Sequence, residues 1–90
     1  MKKALVSVMG EDKAGIIAKV STALFEMNIN ILEISQTILD GYFTMMMMVD
    51  ISKAEVSFTD IAAKLDDVGK AMNELVQIQR ADLFDAMHRI

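Results

Sequence analysis

Several residue types are absent or scarce in this 90-residue chain, and each absence removes a class of site. The chain has no cysteine, which excludes disulfides and thiolate metal sites. Its single histidine leaves no second imidazole for a metal cluster or a catalytic pair. No stretch reaches the about 20 apolar residues that a membrane-spanning helix needs. We therefore expect no metal, no cofactor and no membrane partner.

Basic residues are also scarce. Nine lysines and arginines stand against 13 acidic residues, which gives a net charge of −4 and a pI of about 4.7. Such a chain has no overall attraction to phosphate backbones, so we expect no nucleic-acid partner. The first apolar run is too short for the core of a signal peptide, and cysteine is absent, so we expect a cytoplasmic protein.

Apolar residues, by contrast, make up 53% of the chain, against about 45–50% in an ordinary domain. Ninety residues are enough for one domain, which we expect to span residues 1–90. The surplus of apolar residues either fills a dense core or forms a face that a second subunit covers. We expect a homodimer or a higher homo-oligomer.

The hydrophobic pattern predicts six elements and a terminal helix. Asp40-Gly41 is a strong signal for a two-residue hairpin turn, because both central positions of a type I′ turn need positive φ. The predicted strands are 3–9, 29–39, 42–51 and 76–81, and the predicted helices are 15–27 and 58–75. Residues 82–90 form a C-terminal extension, in which the terminal helix is predicted over 83–90. This βαββαβ order predicts an α+β, ferredoxin-like fold, with two helices on one face of a four-stranded antiparallel sheet ordered four, one, three, two.

The hairpin turn also predicts which side chains share a face. Paired residue numbers should sum to 81, which places Gln36 opposite Met45 and Ile31 opposite Asp50. We expect the face that carries Leu32, Ile34, Gln36 and Ile38 to be the core. The other face, with Met46 and Met48, should be bare and open to a partner.

The loop from Gly10 to Gly15 precedes the first helix, whose free backbone N–H groups favour a carboxylate or a phosphate. Asp12 could pair with an ammonium group, or it could simply cap the helix while Gly15 makes the turn. Asn28 and Asn30 have either turn and strand-end roles or a ligand role. Gln36, on a face expected to be apolar, needs a backbone or ligand partner.

The segments Asp12-Lys13-Ala14-Gly15-Ile16-Ile17 and Asn28-Ile29-Asn30-Ile31 resemble the ACT domain, although Ala14 stands where that family usually has proline. Segments 34–37, 42–45 and 84–90 are similar to the glycine-cleavage-repressor type of free-standing ACT regulator. The resemblance implies a regulatory module that pairs side by side and binds an amino acid at the subunit interface. On this basis we expect the ligand-binding residues to be Glu11, Asp12, Lys13, Ala14, Gly15, Ile16, Asn28, Asn30 and Gln36. The expected interface residues are Ile31, Met46, Met48, Phe84 and Met87.

The alternative is a ligand-free protein-interaction module that regulates an enzyme or a transcriptional regulator through the bare sheet face and the terminal helix. An enzyme has little support. His88 has no partner residue for a nucleophile pair or a metal, and the side chains of Asp66 and Asp67 point different ways on a helix. Strand alternation splits the four methionines 45–48 between the two faces, so they cannot converge on one metal ion. We expect no catalytic residues.

Overall fold

The computed structural model describes residues 1–11 and 14–81. It contains the predicted six elements in the predicted order, which confirms the fold class. Their bounds are β1 Lys3–Glu11, α1 Ile16–Glu26, β2 Asn30–Leu39, β3 Tyr42–Asp50, α2 Phe58–Met72 and β4 Leu75–Arg80. The predicted terminal helix over 83–90, with Phe84 and Met87, lies outside the described residues, as do Asp12 and Lys13.

The four strands form one antiparallel sheet in the order β2-β3-β1-β4, as predicted. The hairpin between β2 and β3 turns at Asp40-Gly41, where φ is 52° and 80°, the positive values that a type I′ turn requires. Both helices lie on one face of this sheet. Their apolar stripes, with alternate residues of β1 and β3, form the core.

Helix α1 begins and ends at residues with left-handed backbone conformations. Gly15 precedes it with φ 85°, and Asn28 follows it with φ 61°, which confirms Asn28 as the predicted stop. Between them, Ile16, Val20 and Leu24 are buried at helical spacing. Because α1 follows the end of β1 and precedes the start of β2, it runs from one end of the sheet to the other.

Helix α2 begins at Ser57, whose side-chain oxygen accepts a hydrogen bond from the Asp60 backbone N–H at 3.1 Å, as the predicted capping sequence requires. The prediction that it continues to residue 75 is wrong. Asn73 adopts φ 56°, and the Glu74 N–H donates to the Gly69 carbonyl at 2.8 Å, which closes the helix. Leu75, expected on the helical stripe, instead begins β4 and is half exposed.

Strand β2 departs from the predicted register and burial. The pairing follows the predicted sum from Leu39 to Glu33, and then a bulge at Leu32 places Ile31 opposite Val49 instead of Asp50. Ile31 consequently packs against the core side, so its predicted position on the bare face is wrong.

The prediction of a buried face holds for β3 but is wrong for β2. Met45 and Met47 of β3 are fully buried, whereas Ile34 and Ile38, which share that face in β2, are 47% and 59% exposed. Gln36 is likewise exposed, so its side-chain amide stays in contact with water and does not need the buried hydrogen-bond partner that the prediction required. The helices cover three strands and leave β2 open.

Candidate functional site

The end of β1 and the beginning of α1 bring four of the predicted ligand residues together. Glu11 closes β1, and Ala14 and Gly15 lead into Ile16 at the first position of α1. The first intrahelical hydrogen bond runs from the Lys19 N–H to the Gly15 carbonyl at 2.9 Å. Gly15 has no side chain to cap the helix, and the first turn carries no acidic residue. The N–H groups of residues 16–18 therefore form a small anion-attracting end.

Asn28 and Asn30 lie at the opposite end of the sheet. Asn30 is level with Asp50 and Lys3, whereas the loop follows Glu11, eight residues further along β1. At about 3.3 Å per residue this separation is about 26 Å. One chain alone therefore does not bring the two asparagines to the loop.

The side chain of Asn28 has a structural partner. Its amide nitrogen donates to the Lys53 carbonyl at 3.0 Å, and the Glu55 N–H donates to the Met27 carbonyl beside it. These bonds fasten the turn after α1 to the segment after β3. The turn role considered for Asn28 thus accounts for it, whereas Asn30 is exposed at the start of β2.

The remaining predicted residues lie along or beside the open strand. Gln36 pairs with Met45 in the half of β2 nearer to the Asp40-Gly41 turn. Met46 is 42% exposed and Met48 is half-buried, both on the sheet face away from the helices. Their predicted interface role thus concerns a different surface from that of Gln36.

Sequence reasoning missed Glu74, the one buried charged residue among those described, at 8% exposure. Its carboxylate fills the space above Gly10: a Cβ at Gly10 would lie 2.7 Å from its Oε1 and 2.6 Å from its Cδ. The carboxylate therefore lies against the end of β1, just before the β1–α1 loop. No sequence spacing links residues 10 and 74; only the pairing of β1 with β4 brings them together.

Sequence reasoning also missed an apolar surface along β2 and the adjacent flank of α1. The other flank of α1, with Ala18 and Thr22, lines a groove against α2, so Ile17 faces the β2 side. Ile17 is 38% exposed, and with Ile34 and Ile38 it forms the surface that we call the edge patch. Phe25, seven residues after Ala18 and so on nearly the same side of the helix, is 81% exposed. Ile17 falls outside the buried stripe of α1, which was the available signal.

A groove of about 860 Å³ lies at the other end of the described part of the molecule from the β1–α1 loop. It runs between the start of β1, the N-terminus of α2 and the end of β4, and Lys2, Lys3 and Arg80 line it. Arg80 is stacked over the Phe58 ring at 4.9 Å from its centroid. This groove shares no residue with the predicted ligand set.

Among the residues that the structure describes, Asp50 and Lys70 have shifted pKa values, and both are remote from the loop. The Ser52 backbone N–H donates to Asp50 Oδ1 at 3.0 Å and, with the Ser52 hydroxyl, lowers the pKa of Asp50 below its ordinary value. The Asp66 carboxylate, 3.0 Å away, raises the pKa of Lys70. Over residues 1–11 and 14–81, no cluster of three metal-binding side chains occurs and no helix is long and apolar enough to cross a membrane.

The sequence profile of the ACT domain matches residues 2–79. The chain belongs to the ACT-domain family. A UPF0237 protein of Listeria monocytogenes is 48% identical over 88 residues, which cover 98% of this chain and 99% of that protein. Among solved structures, an ACT domain protein from Streptococcus pneumoniae is 42% identical with a TM-score of 0.81, over 92% of this chain and 93% of that one.

A protein assigned as a glycine cleavage system transcriptional repressor shares this ACT fold, with a TM-score of 0.73 at 18% identity. The match covers 88% of this chain and 45% of that one. The resemblance drawn from the loop and strand-entry motifs is therefore confirmed for the family and the fold.

Proposed function

We propose that this ACT domain is a regulatory sensor that binds an amino acid or a similar small carboxylate between two copies of the chain. The ligand's carboxylate lies at the N-terminus of α1, where backbone N–H groups and the positive end of the helix dipole favour an anion. Gly15 supports this position, because a residue without a side chain leaves the approach open: nothing lies within 4 Å of where its Cβ would be.

The second half of the proposed site comes from a partner chain. Strand β2 is ten residues long, and beyond the bulge at Leu32 and the charged Glu33 near its start it contains no proline, lysine or arginine to block pairing. Its side chains and the edge patch expose apolar surface beside unpaired backbone groups. We infer that two β2 strands pair antiparallel across a two-fold axis and join the two sheets.

This pairing explains the separation of the predicted ligand residues. In an antiparallel pair of β2 strands, the start of one strand lies beside the end of the other. The partner's Asn30 thereby comes to the end of the sheet that carries the β1–α1 loop, where it can hydrogen-bond a ligand held by α1. The observation that carries the proposal is the 26 Å gap, about the length of the strand, which such a pairing closes.

A thermal-shift screen against the twenty proteinogenic amino acids, with the corresponding amine-free acids as comparison, tests the proposal. A ligand at 100 times its dissociation constant adds about 2.7 kcal/mol, which raises the midpoint of a domain this small on the order of 10 °C. A clear shift supports the sensor function and identifies the signal. No shift with any compound would contradict it.

Two substitutions locate the site once a ligand is found. Ala14→Glu places a carboxylate at the α1 N-terminus, where it competes with the ligand, and we expect binding to weaken by about tenfold or more. Ala63→Glu makes the same change at an exposed position of α2 and should leave binding unchanged. Equal binding by wild type and both variants would remove the loop from the site.

A further inference from the structure

The sheet face away from the helices, which we call the open face, is almost free of charge over its three central rows, whereas Glu11 lies in the row beyond one end and Lys3 and Asp50 lie in the row beyond the other. Three consecutive rows cross all four strands, from β2 to β4. They are Thr37, Thr44, Met9 and Leu75; then Ser35, Met46, Ser7 and Gln77; then Glu33, Met48, Leu5 and Gln79. Glu33, on the edge strand, is the only charged residue in these rows, although charged residues make up 24% of the chain.

Each of these rows of the open face also presents apolar side chains, although the middle row is otherwise polar. Met9, Met46 and Leu75 are 44%, 42% and 48% exposed, and Leu5 and Met48, in the row with Glu33, are half-buried. The solvent face of an antiparallel sheet is ordinarily polar, so methionine and leucine at these positions indicate a covered surface. Methionine in particular adapts its shape to a partner.

The size of the open face fits an interface. With about 4.8 Å between strands and about 6.7 Å between successive residues on one face, three rows project about 400 Å². The next row adds Leu39 and Tyr42, which are 75% and 63% exposed, together with Glu11, and brings the projected area to about 500 Å². Accessible area exceeds projected area because side chains stand out from the sheet, and stable interfaces begin near about 600 Å² per partner.

The distribution of charge selects a second copy as the occupant. Each copy carries a net charge of −4, so copies repel wherever their charged surfaces meet. The middle of the open face avoids this repulsion, because the charged residues of the face, Glu11, Glu33, Lys3 and Asp50, lie around its margin. Its serine, threonine and glutamine side chains both donate and accept hydrogen bonds, so like groups can pair across a two-fold axis.

We propose that two copies of the chain stack their open faces against each other, sheet on sheet at a spacing of about 10 Å. This interface is separate from the β2 edge and requires no ligand. Together, the two interfaces assemble four chains, each pair of joined sheets stacking on another pair. The open face is then interior to the assembly, and the β1–α1 loops remain at its surface.

The mass in solution, measured by sedimentation velocity at one fixed protein concentration, tests this inference. The monomer is 10.0 kDa, and we expect the wild type near four times that mass. Met46→Glu places a charge at the centre of the open face and should halve the mass. Ile34→Lys places like charges near the two-fold axis of the β2 pair and should also halve it. The two substitutions together should give monomers.

Ala63→Glu is the matched control for added negative charge and should keep the wild-type mass. Circular dichroism verifies that each variant folds, and Met9→Glu, one row away, replaces Met46→Glu should that variant fail to fold. A wild-type mass for the open-face variant overturns the inference, and the face then belongs to another protein or to the C-terminal segment. Loss of association in Ile34→Lys alone would keep the proposed ligand interface while removing the stacked one.

Discussion

Replacing Gly69 in the last turns of α2 with alanine sets two effects of known size against each other. Alanine is favoured over glycine in a helix by about 1 kcal/mol, so the helix alone would be stabilised. The added Cβ, however, would lie 2.6 Å from the Glu74 carbonyl oxygen and 3.2 Å from the Val76 backbone nitrogen. Both contacts are to backbone, which cannot rotate away, and such overpacking costs about 1–3 kcal/mol.

We therefore expect Gly69→Ala to lower the free energy of unfolding by about 1 kcal/mol, which lowers the midpoint by about 4–8 °C. Chemical and thermal unfolding at a fixed protein concentration measure this change, because assembly makes stability depend on concentration. Ala63→Gly, at an exposed position of the same helix, isolates helix propensity and should cost about 1 kcal/mol. A Gly69→Ala variant more stable than wild type would refute the close approach of α2 to β4.

Three further predictions concern the core, a helix cap and one carboxylate. Leu65→Ala, which empties a fully buried position, should lower the free energy of unfolding by about 2–5 kcal/mol in a denaturant titration. Ser57→Ala should lower it by about 1 kcal/mol and Ser57→Asp should restore it, because only the latter keeps an acceptor for the first turn. The lowered pKa of Asp50 means that its stabilising contribution is present at neutral pH and is lost as the pH falls through the folded-state value. The difference in free energy of unfolding between wild type and Asp50→Asn should thus shrink below about pH 4. NMR titration should give Asp50 a pKa below that of an ordinary aspartate.

Local patterns were enough to predict the elements and their order. The Asp40-Gly41 turn determined the pairing of the hairpin strands from the turn as far as Glu33, and Asn28 marked the end of α1. Both features depend on the backbone preferences of one or two residues. The prediction of α2 failed at its end for the same kind of reason. Asn73 was not recognised as a stop, since the apolar spacing continued through it to Leu75.

The burial of β2 could not be predicted from alternation alone. Alternation shows which side chains share a face, but the position of the helices over that face depends on contacts distant in sequence. Gly69 lets α2 lie directly against the start of β4, and α1 packs beside α2, so the helix layer covers β4, β1 and β3 and leaves Ile34 and Ile38 open. The bulge at Leu32, which turns Ile31 toward the core, likewise has no local sequence signal.

The site shows the same division between local and distant information. The loop motif identified Glu11, Ala14, Gly15 and Ile16 as neighbours, because they are adjacent in sequence. The distance of Asn30 from them follows from the parallel directions of β1 and β2, which only the fold reveals. The position of the buried Glu74 carboxylate against Gly10 depends on strand pairing in the same way.

Mixing two variants, Ala14→Glu and Asn30→Ala, and measuring ligand binding by calorimetry tests the shared site most directly. Each variant alone has every site damaged, whereas a mixed pair has one doubly damaged site and one site with an intact loop and an intact asparagine. After random exchange of subunits, about a quarter of all sites should bind with wild-type affinity. A mixture that binds no better than the two variants measured separately would contradict a site built between two chains.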